Sequence, residues 1–246
     1  MQYWNPRKSL AGLLVSAATL LCSSATSAGN RFALEPDQVE STRAFQYAKL
    51  DNDSCFAELD RRHVPYHKVE PTQQVEGPIR FSGPIHGVTF ALTYRGPDTN
   101  DEASYSSIAD CRLALAIDDL AKVLEKHDVV RTEYLSMYRK RGVGFVKPGK
   151  RHPSGRAIDL ATITLKDGKT FSVLYDWHGL AGSKTCGADA TPPRKDTEGA
   201  RLLRAIVCEL DEEQSFNLIL TPHYDWGHKD HFHMEVRSDI RWFLVQ

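Results

Sequence analysis

Three histidines crowd into a short stretch near the end of the chain, and the neutral imidazole is the side chain that most often binds metal in proteins. They are His228, His231 and His233, and Asp230 lies between them. If residues 232–236 form a strand, His231 and His233 project from one face, because side chains two positions apart share a face. The spacing therefore predicts two imidazoles side by side, as one wall of a metal site.

Candidate ligands of the same kind occur upstream, in the segment His152-Pro-Ser-Gly-Arg-Ala-Ile-Asp159. Gly155 lets the backbone turn close to whatever His152 binds. Asp159 falls on the first strand of a predicted hairpin, where its carboxylate can face a partner strand that carries His233. Two histidines and one carboxylate are suitable zinc ligands, and a fourth position left to water is typical of a catalytic zinc site.

Hydrophobic periodicity predicts the elements that must position these residues. Helices are expected over 53–62, 107–127 and 196–212, capped by Asp53, Ser107 with Asp110, and Asp196. Strands are expected over 88–92, 129–137, 157–165, 170–177, 217–220 and 232–236. Asp167-Gly168 marks the hairpin turn. The pattern predicts one α+β domain, in which a small, mainly antiparallel sheet carries the site and helices pack on it.

The remaining segments show no clear hydrophobic periodicity. Residues 29–50 are polar and predict a loosely held, flexible arm, whereas 63–84 are rich in proline, glycine and glutamine and predict a loop. Residues 139–156 form a basic, glycine-containing loop, which is either solvated or lines a cleft that receives carboxylates; charge alone favours the solvated loop. Trp177 and Trp226 are expected to be wall or core residues rather than substrate platforms.

The start of the chain has the pattern of a secretory signal peptide. Arg7 and Lys8 precede an apolar run over 10–21, and small residues follow. The run is too short to be a convincing membrane span. Cleavage is expected near Ala28, so that the mature protein is exported, periplasmic or extracellular, and has no membrane span. The expected division is a signal peptide over 1–28, the arm over 29–50 and one domain over 51–246.

The cysteine content agrees with export. Cys22 would allow a lipid-anchored alternative, but Leu21 is bulkier than the residue that lipoprotein signals usually carry there, so this alternative is not favoured. Four cysteines remain, and an even count in an exported chain indicates two disulfides. Three pairings are possible, and we favour the neighbours in sequence: Cys55–Cys111 and Cys186–Cys208. The formal net charge is −1, and no block of like charge suggests a polyanionic partner, so no nucleic-acid partner is expected.

The two histidine segments resemble a known signature. His152-x-x-Gly155-x-Ala157-x-Asp159 with His231-x-His233 is similar to the pattern shared by D-Ala-D-Ala carboxypeptidases, penicillin-insensitive murein endopeptidases and hedgehog signalling domains. More closely, the chain resembles the bacterial extensin-like C-terminal domain family. The matching features are Cys55-Phe-Ala-Glu-Leu, Cys111-Arg-Leu-Ala-Leu-Ala, the Asp167-Gly168 hairpin and the stretch over 224–235. They span most of the predicted mature chain.

The resemblance implies a role for each residue of the site. In the related peptidases the first His, the Asp and the last His bind zinc, which implies His152, Asp159 and His233 as ligands. The first His of the His-x-His pair lies beside the metal and assists catalysis, which implies that role for His231. Several relatives carry a glutamate base three residues before the last ligand. That position is Asp230 here, a shorter acid.

Further positions of the pattern concern catalysis, substrate binding and a disulfide. His228 stands where the endopeptidases have an extra histidine, which implies a supporting catalytic role. Extensin-like members carry an arginine where Arg139 stands, and this implies a contact with a substrate carboxylate; Arg156 is a second candidate for that contact. Tyr138 stands where a cysteine is usual, so one expected disulfide partner is missing.

The function that the resemblance implies is that of a zinc-dependent metallopeptidase acting on bacterial cell-wall peptidoglycan, in stem peptides or cross-links. Zinc lowers the pKa of its bound water toward ~7, and His231 or Asp230 would take the proton. The alternative is a non-catalytic, zinc-containing envelope module that binds peptidoglycan or a protein partner, as hedgehog domains do. A third hypothesis is a structural envelope protein with a histidine-rich edge and no metal.

Overall fold

The computed structural model describes residues 1, 36–93, 104–140, 151–237, 239–240 and 243–246. The predicted signal peptide beyond Met1, including Cys22, and residues 141–150 of the basic loop lie outside this part of the chain. The described residues from 36 onward belong to one compact unit of mixed helices and strands, which confirms the α+β class. In the described ranges, no helix is long and apolar enough to cross a membrane.

Six helices and ten strands lie within the described ranges. The helices are α1 (Pro36–Ser41), α2 (Arg43–Lys49), α3 (Asn52–Arg61), α4 (Cys111–Lys126), α5 (Val173–Asp176) and α6 (Glu198–Glu213). The strands are β1 (Tyr66–Lys68), β2 (Pro78–Phe81), β3 (Thr89–Leu92), β4 (Ala109–Asp110), β5 (Val129–Tyr134), β6 (Ala157–Leu165), β7 (Thr170–Ser172), β8 (Leu218–Leu220), β9 (Phe232–Glu235) and β10 (Leu244–Val245).

Seven strands form the sheet that carries the site, in the order β10–β8–β9–β6–β5–β3, with β7 paired to β6. The outermost pairs β10–β8 and β3–β5 are parallel, and the other pairs are antiparallel. The prediction of a mainly antiparallel sheet is therefore confirmed, although the sheet is larger than expected. Strand β6 has the predicted bounds, and the Asp167-Gly168 turn separates it from β7.

Helix α4 lies at the centre of the hydrophobic core. Thirteen of its 16 residues are buried, and it packs against α2, α3 and α6. A helix that is buried nearly all round needs apolar side chains on more than one stripe, and Leu113, Leu115 and Ile117 are all fully buried. Full burial of each contributes about 1.5–3 kcal/mol.

Both predicted disulfides are present. Cys55–Cys111 links α3 to the first turn of α4, and Cys186–Cys208 links the loop after α5 to α6. Each cross-link restricts the unfolded chain and thereby stabilises the fold by about 2–4 kcal/mol. Two disulfides are compatible with an exported protein.

The prediction of a loosely held arm is wrong for residues 36–49, which form α1 and α2. Val39, Ala44 and Tyr47 of these helices are buried, and the Tyr47 hydroxyl donates to Asp119 of α4 at 2.5 Å. The segment looks polar because only a few of its side chains face the core. Of the rest of the predicted arm, Leu50 is the C-cap of α2, and residues 29–35 lie outside the described residues.

Other corrections concern the short elements. The predicted loop over 63–84 contains β1 and β2, which form a second sheet with β4. The strand predicted over 170–177 ends at Ser172, and α5 begins at Val173. The N-caps of α3, α4 and α6 are Asp51, Asp110 and Thr197, so the caps predicted at Asp53, Ser107 and Asp196 are misplaced by one to three residues. Each observed cap is the residue whose side chain accepts a backbone N–H from the first turn, of Ser54, Arg112 and Ala200 respectively.

Candidate metal centre

Three predicted ligands meet where β6 and β9 pair. Asp159 lies directly opposite His233 in this antiparallel pair, so both side chains project from the same face of the sheet. His152 lies in a 3₁₀ turn, His152–Ser154, just before β6. All three residues are buried, and potential ligand atoms from the three lie within 4.8 Å of one another.

The atoms that face one another are His152 Nε2, Asp159 Oδ1 and His233 Nδ1. The Asp159 oxygen is 3.1 Å from the His152 nitrogen and 2.7 Å from the His233 nitrogen, and the two nitrogens are 3.2 Å apart. Donor atoms around a tetrahedral zinc ion with bonds of about 2.1 Å lie about 3.4 Å apart. Outward movements of well under about 1 Å would therefore fit an ion between them.

Outer partners determine which imidazole nitrogen faces the centre. His152 Nδ1 lies 3.1 Å from the Met137 carbonyl oxygen, so with a metal bound this nitrogen would carry the proton and Nε2 would present its lone pair. His233 Nε2 lies 2.5 Å from Glu235 Oε1, so it donates to this carboxylate and leaves Nδ1 toward the centre. Metal-binding histidines characteristically donate their other N–H to a carbonyl or a carboxylate in this way.

The centre therefore attracts a cation. Burial opposes a charged imidazole, but hydrogen bonds to Asp159 and Glu235 outweigh it and raise the pKa of His233 to about 9. Burial lowers the pKa of His152 and outweighs its hydrogen bond to Asp159. Burial acts to raise the pKa of Asp159, yet hydrogen bonds from the two histidines hold it well below its usual range. Either a proton or a metal ion satisfies three converging acceptors, so the residues present fit a divalent metal.

The other two histidines of the stretch gather around the same centre. Asp230 bonds His231 Nδ1 at 2.8 Å, and this directs His231 Nε2 to a position 3.5 Å from Asp159 Oδ1. The His228 ring lies 5.4 Å from the His231 ring, and its Nδ1 is bonded to Asp225 at 2.7 Å. Each imidazole is thus oriented by its own carboxylate.

Of the two predicted arginines, only Arg139 lies at the centre. Its guanidinium contacts Asp159 Oδ2 and bonds Ser136 Oγ at 2.7 Å, while half of its side chain stays exposed. Arg156 is 2% exposed and is paired with Glu76 at 2.7 Å and Asp110 at 3.5 Å. Contrary to prediction, Arg156 is not a candidate for substrate binding, because it is enclosed and its charge is already compensated.

Gly155 also has a different role from the predicted one. Its φ is +62°, and a Cβ at this position would lie 2.8 Å from the backbone nitrogen of Asp110. The Gly155 carbonyl accepts a hydrogen bond from that same nitrogen at 2.8 Å. Glycine is therefore required by the turn and by the close approach of the β4–α4 junction, rather than by a ligand of His152.

Sequence reasoning missed Glu235 as an outer partner. A signal was present, because His231, His233 and Glu235 alternate on one face of a strand, and a fully buried acid beside a histidine calls for pairing. Two other histidines near the site do not join it. His223 is buried against Thr185 and Trp177, and His178 lines a groove beyond the centre.

The family assignment agrees with this arrangement. The family model described as "Extensin-like protein C-terminus" matches residues 53–244, which include every residue of the centre. The chain belongs to this family. No curated protein and no solved structure matches the chain. The family match confirms the closer of the two resemblances, and the relationship to metallopeptidases stays a prediction.

Proposed function

We propose that this protein is a zinc-dependent peptidase that hydrolyses peptide bonds in bacterial cell-wall peptidoglycan, in stem peptides or cross-links. The observation that carries the proposal is the convergence of His152 Nε2, Asp159 Oδ1 and His233 Nδ1 at 2.7–3.2 Å. Two imidazoles and one carboxylate are a donor set that catalytic zinc sites use, with a further position left to water.

The chain supplies a proton acceptor beside these ligands. When bound, zinc would lower the pKa of a coordinated water toward ~7 and polarise a substrate carbonyl. His231 presents Nε2 to the centre and can accept a proton there, because Asp230 holds its Nδ1–H at 2.8 Å. In this scheme Asp230 orients His231 rather than acting as the base, so its short side chain is long enough for its task.

Arg139 can hold the substrate. A guanidinium has five N–H donors, and the contacts with Asp159 and Ser136 leave others for a carboxylate. Arginine binds carboxylates with two parallel hydrogen bonds, which fixes direction as well as position. A peptide whose free carboxylate lies near its cleaved bond is therefore the favoured substrate. The disulfides are compatible with an exported enzyme, which supports a cell-wall peptide as that substrate.

The proposal is tested by incubating the purified, zinc-loaded protein with muropeptides and analysing the products by mass spectrometry. We expect new peptide termini with the wild type and at least about a 100-fold slower reaction with His231→Ala, because general base catalysis contributes about 10²–10⁴-fold. His127→Ala is a matched control, because His127 is bonded to Glu209 of α6 and is not part of the centre. Stoichiometric zinc without cleavage would favour the binding-module alternative instead.

A further inference from the structure

A groove of about 570 Å³ is connected to the candidate metal centre through Asp225, which lines the groove and is bonded to His228, whose ring lies 5.8 Å from that of His233. We call it the side groove and define it by Leu174, Leu180, Arg194, Lys195, Trp226 and Lys229. Its near wall is the 3₁₀ turn Trp226–His228, which also carries His228 toward the centre. The same short turn therefore faces the groove with Trp226 and the metal centre with His228.

The side groove exposes large apolar side chains. Trp226 is 79% exposed, Leu180 is 54% exposed and Leu174 is 42% exposed. Most other large hydrophobic residues in the described ranges are buried in the core. Trp226 was predicted to be a wall or core residue; its exposure excludes the core, and it lines the wall of this groove. An exposed apolar cluster beside a candidate active site is typical of a surface that binds another molecule.

The charge of the side groove is positive. Arg194, Lys195 and Lys229 line it. Lys229 lies 5.4 Å from the Trp226 ring centroid and is attracted by Asp230, whereas Arg194 and Lys195 form no ion pair with a described residue. The one acid of its lining, Asp225, is engaged by His228 at 2.7 Å. The chain as a whole has a formal net charge of −1, so this local excess of cations is not a property of the composition. It favours an anionic occupant.

We propose that the side groove binds an acidic peptide segment with small or apolar side chains, as the part of the substrate that flanks the cleaved bond. This inference rests on the proposed function and adds the specificity surface for it. Aliphatic side chains would pack on Trp226 and Leu180, while carboxylates would pair with Arg194 and Lys195. One short turn separates the groove from the centre, and its His228 ring lies 5.8 Å from the His233 ring, so an extended peptide in the groove would point its next residues toward the centre.

Binding is measured on the full chain with its metal removed by a chelator, so that no cleavage interferes. The probe is a stem tetrapeptide of alanine, glutamate, diaminopimelate and alanine. Its binding is measured by tryptophan fluorescence and by calorimetry. We expect about tenfold weaker binding for Trp226→Ala and for the double variant Arg194→Ala/Lys195→Ala. Tyr175→Ala is the matched control, because Tyr175 is 73% exposed nearby but does not line the groove. It should bind as the wild type does.

The competing outcomes are distinct. Equal binding of a fully amidated peptide, or unchanged affinity in the groove variants, would overturn the inference. Competition by an N-acetylglucosamine oligosaccharide in place of the peptide would also overturn it and identify a sugar surface. Groove-dependent peptide binding without any cleavage after zinc is restored would support the groove and refute the proposed hydrolysis. Cleavage with a KM that the groove variants leave unchanged would support the proposed hydrolysis and refute substrate binding in the groove.

Discussion

Two regions of the molecule bury carboxylates and satisfy them in different ways. On α4, Asp118 and Asp119 are 1% and 4% exposed. Arg62 donates to both at 3.1 Å, Lys122 donates to Asp118 at 2.6 Å and the Tyr47 hydroxyl donates to Asp119 at 2.5 Å. Every one of these partners is a fixed cation or hydroxyl of the chain itself. This cluster is complete without a ligand.

At the candidate metal centre, Asp159 Oδ1 instead faces the nitrogens of two imidazoles. Their outer partners, the Met137 carbonyl and the Glu235 carboxylate, already take one N–H each. The acceptors that remain converge on a common point, where either a proton or a metal ion would satisfy them. The comparison shows that burial of acids alone does not identify a site. What distinguishes a candidate metal centre is that its acceptors face one another.

The largest expected effect is the loss of a ligand. His233→Ala should weaken zinc binding by at least about 1,000-fold, which exceeds the 10–100-fold effect of losing an outer partner. Calorimetric titration with zinc checks this, with far-UV circular dichroism to confirm folding. Undiminished zinc affinity in this variant would remove His233 from the ligand set.

The α4 cluster should show the opposite behaviour. Asp118→Ala leaves Arg62 and Lys122 with fewer partners, so we expect a loss of about 3 kcal/mol in the free energy of unfolding. Zinc affinity of the folded protein should stay within about twofold, because sites without shared partners act independently. Urea denaturation tests the expected loss of stability, and zinc titration of the same sample tests the expected unchanged affinity. A large loss of zinc affinity would show that the two regions are coupled.

Glu235 gives a smaller and graded effect. Glu235→Ala removes the acceptor of the His233 Nε2–H, so zinc affinity should fall by about 10–100-fold. Glu235→Gln keeps an oxygen acceptor of similar size and should lose less. Competition with a fluorescent zinc chelator gives the ranking. Equal affinities in the two variants and the wild type would mean that Glu235 only fills space.

The two buried histidines His223 and His233 have pKa values shifted in opposite directions, so the pH dependence of stability distinguishes their surroundings. Burial, together with the nearby Arg204, lowers the pKa of His223 to about 4, whereas acids raise that of His233. A folded pKa below the unfolded value near 6.5 gives stability that is present above about pH 6.5 and is lost as the pH falls toward 4. Between pH 7 and pH 5 this loss is about 2 kcal/mol.

The His223 contribution is isolated by comparing slopes rather than absolute stabilities. Urea denaturation of the wild type and of His223→Gln at several pH values should show a weaker dependence on pH in the variant over this interval. Parallel curves would mean that His223 is not buried as a neutral side chain. The measurement tolerates a less stable variant, because only the difference between pH values is used.

The sequence predicted the parts of the fold and the site that local pattern determines. Strand β6 has its predicted bounds because alternation and the Asp167-Gly168 turn mark both its register and its end. The pairing of His233 with Asp159 was expected from the same pattern, because β9 and β6 each place one ligand on the shared face. Both disulfide pairs were likewise predicted correctly.

Partners distant in sequence account for the errors. Residues 36–49 read as an arm because the burial of Val39 and Tyr47 depends on the core that α4 provides, which no local pattern reveals. Arg156 read as a substrate ligand because its partners, Glu76 and Asp110, lie far upstream. The side groove was missed for the same reason, since the loop after α5 and the turn before β9 meet only in the folded chain.

The central claim is that His152, Asp159 and His233 form a metal centre. A crystal of the zinc-incubated protein, measured on both sides of the zinc absorption edge, tests it most directly. The account predicts one anomalous peak per chain, about 2.0–2.2 Å from His152 Nε2, Asp159 Oδ1 and His233 Nδ1. A protein that takes up no zinc at neutral pH, or a peak held elsewhere, would contradict it.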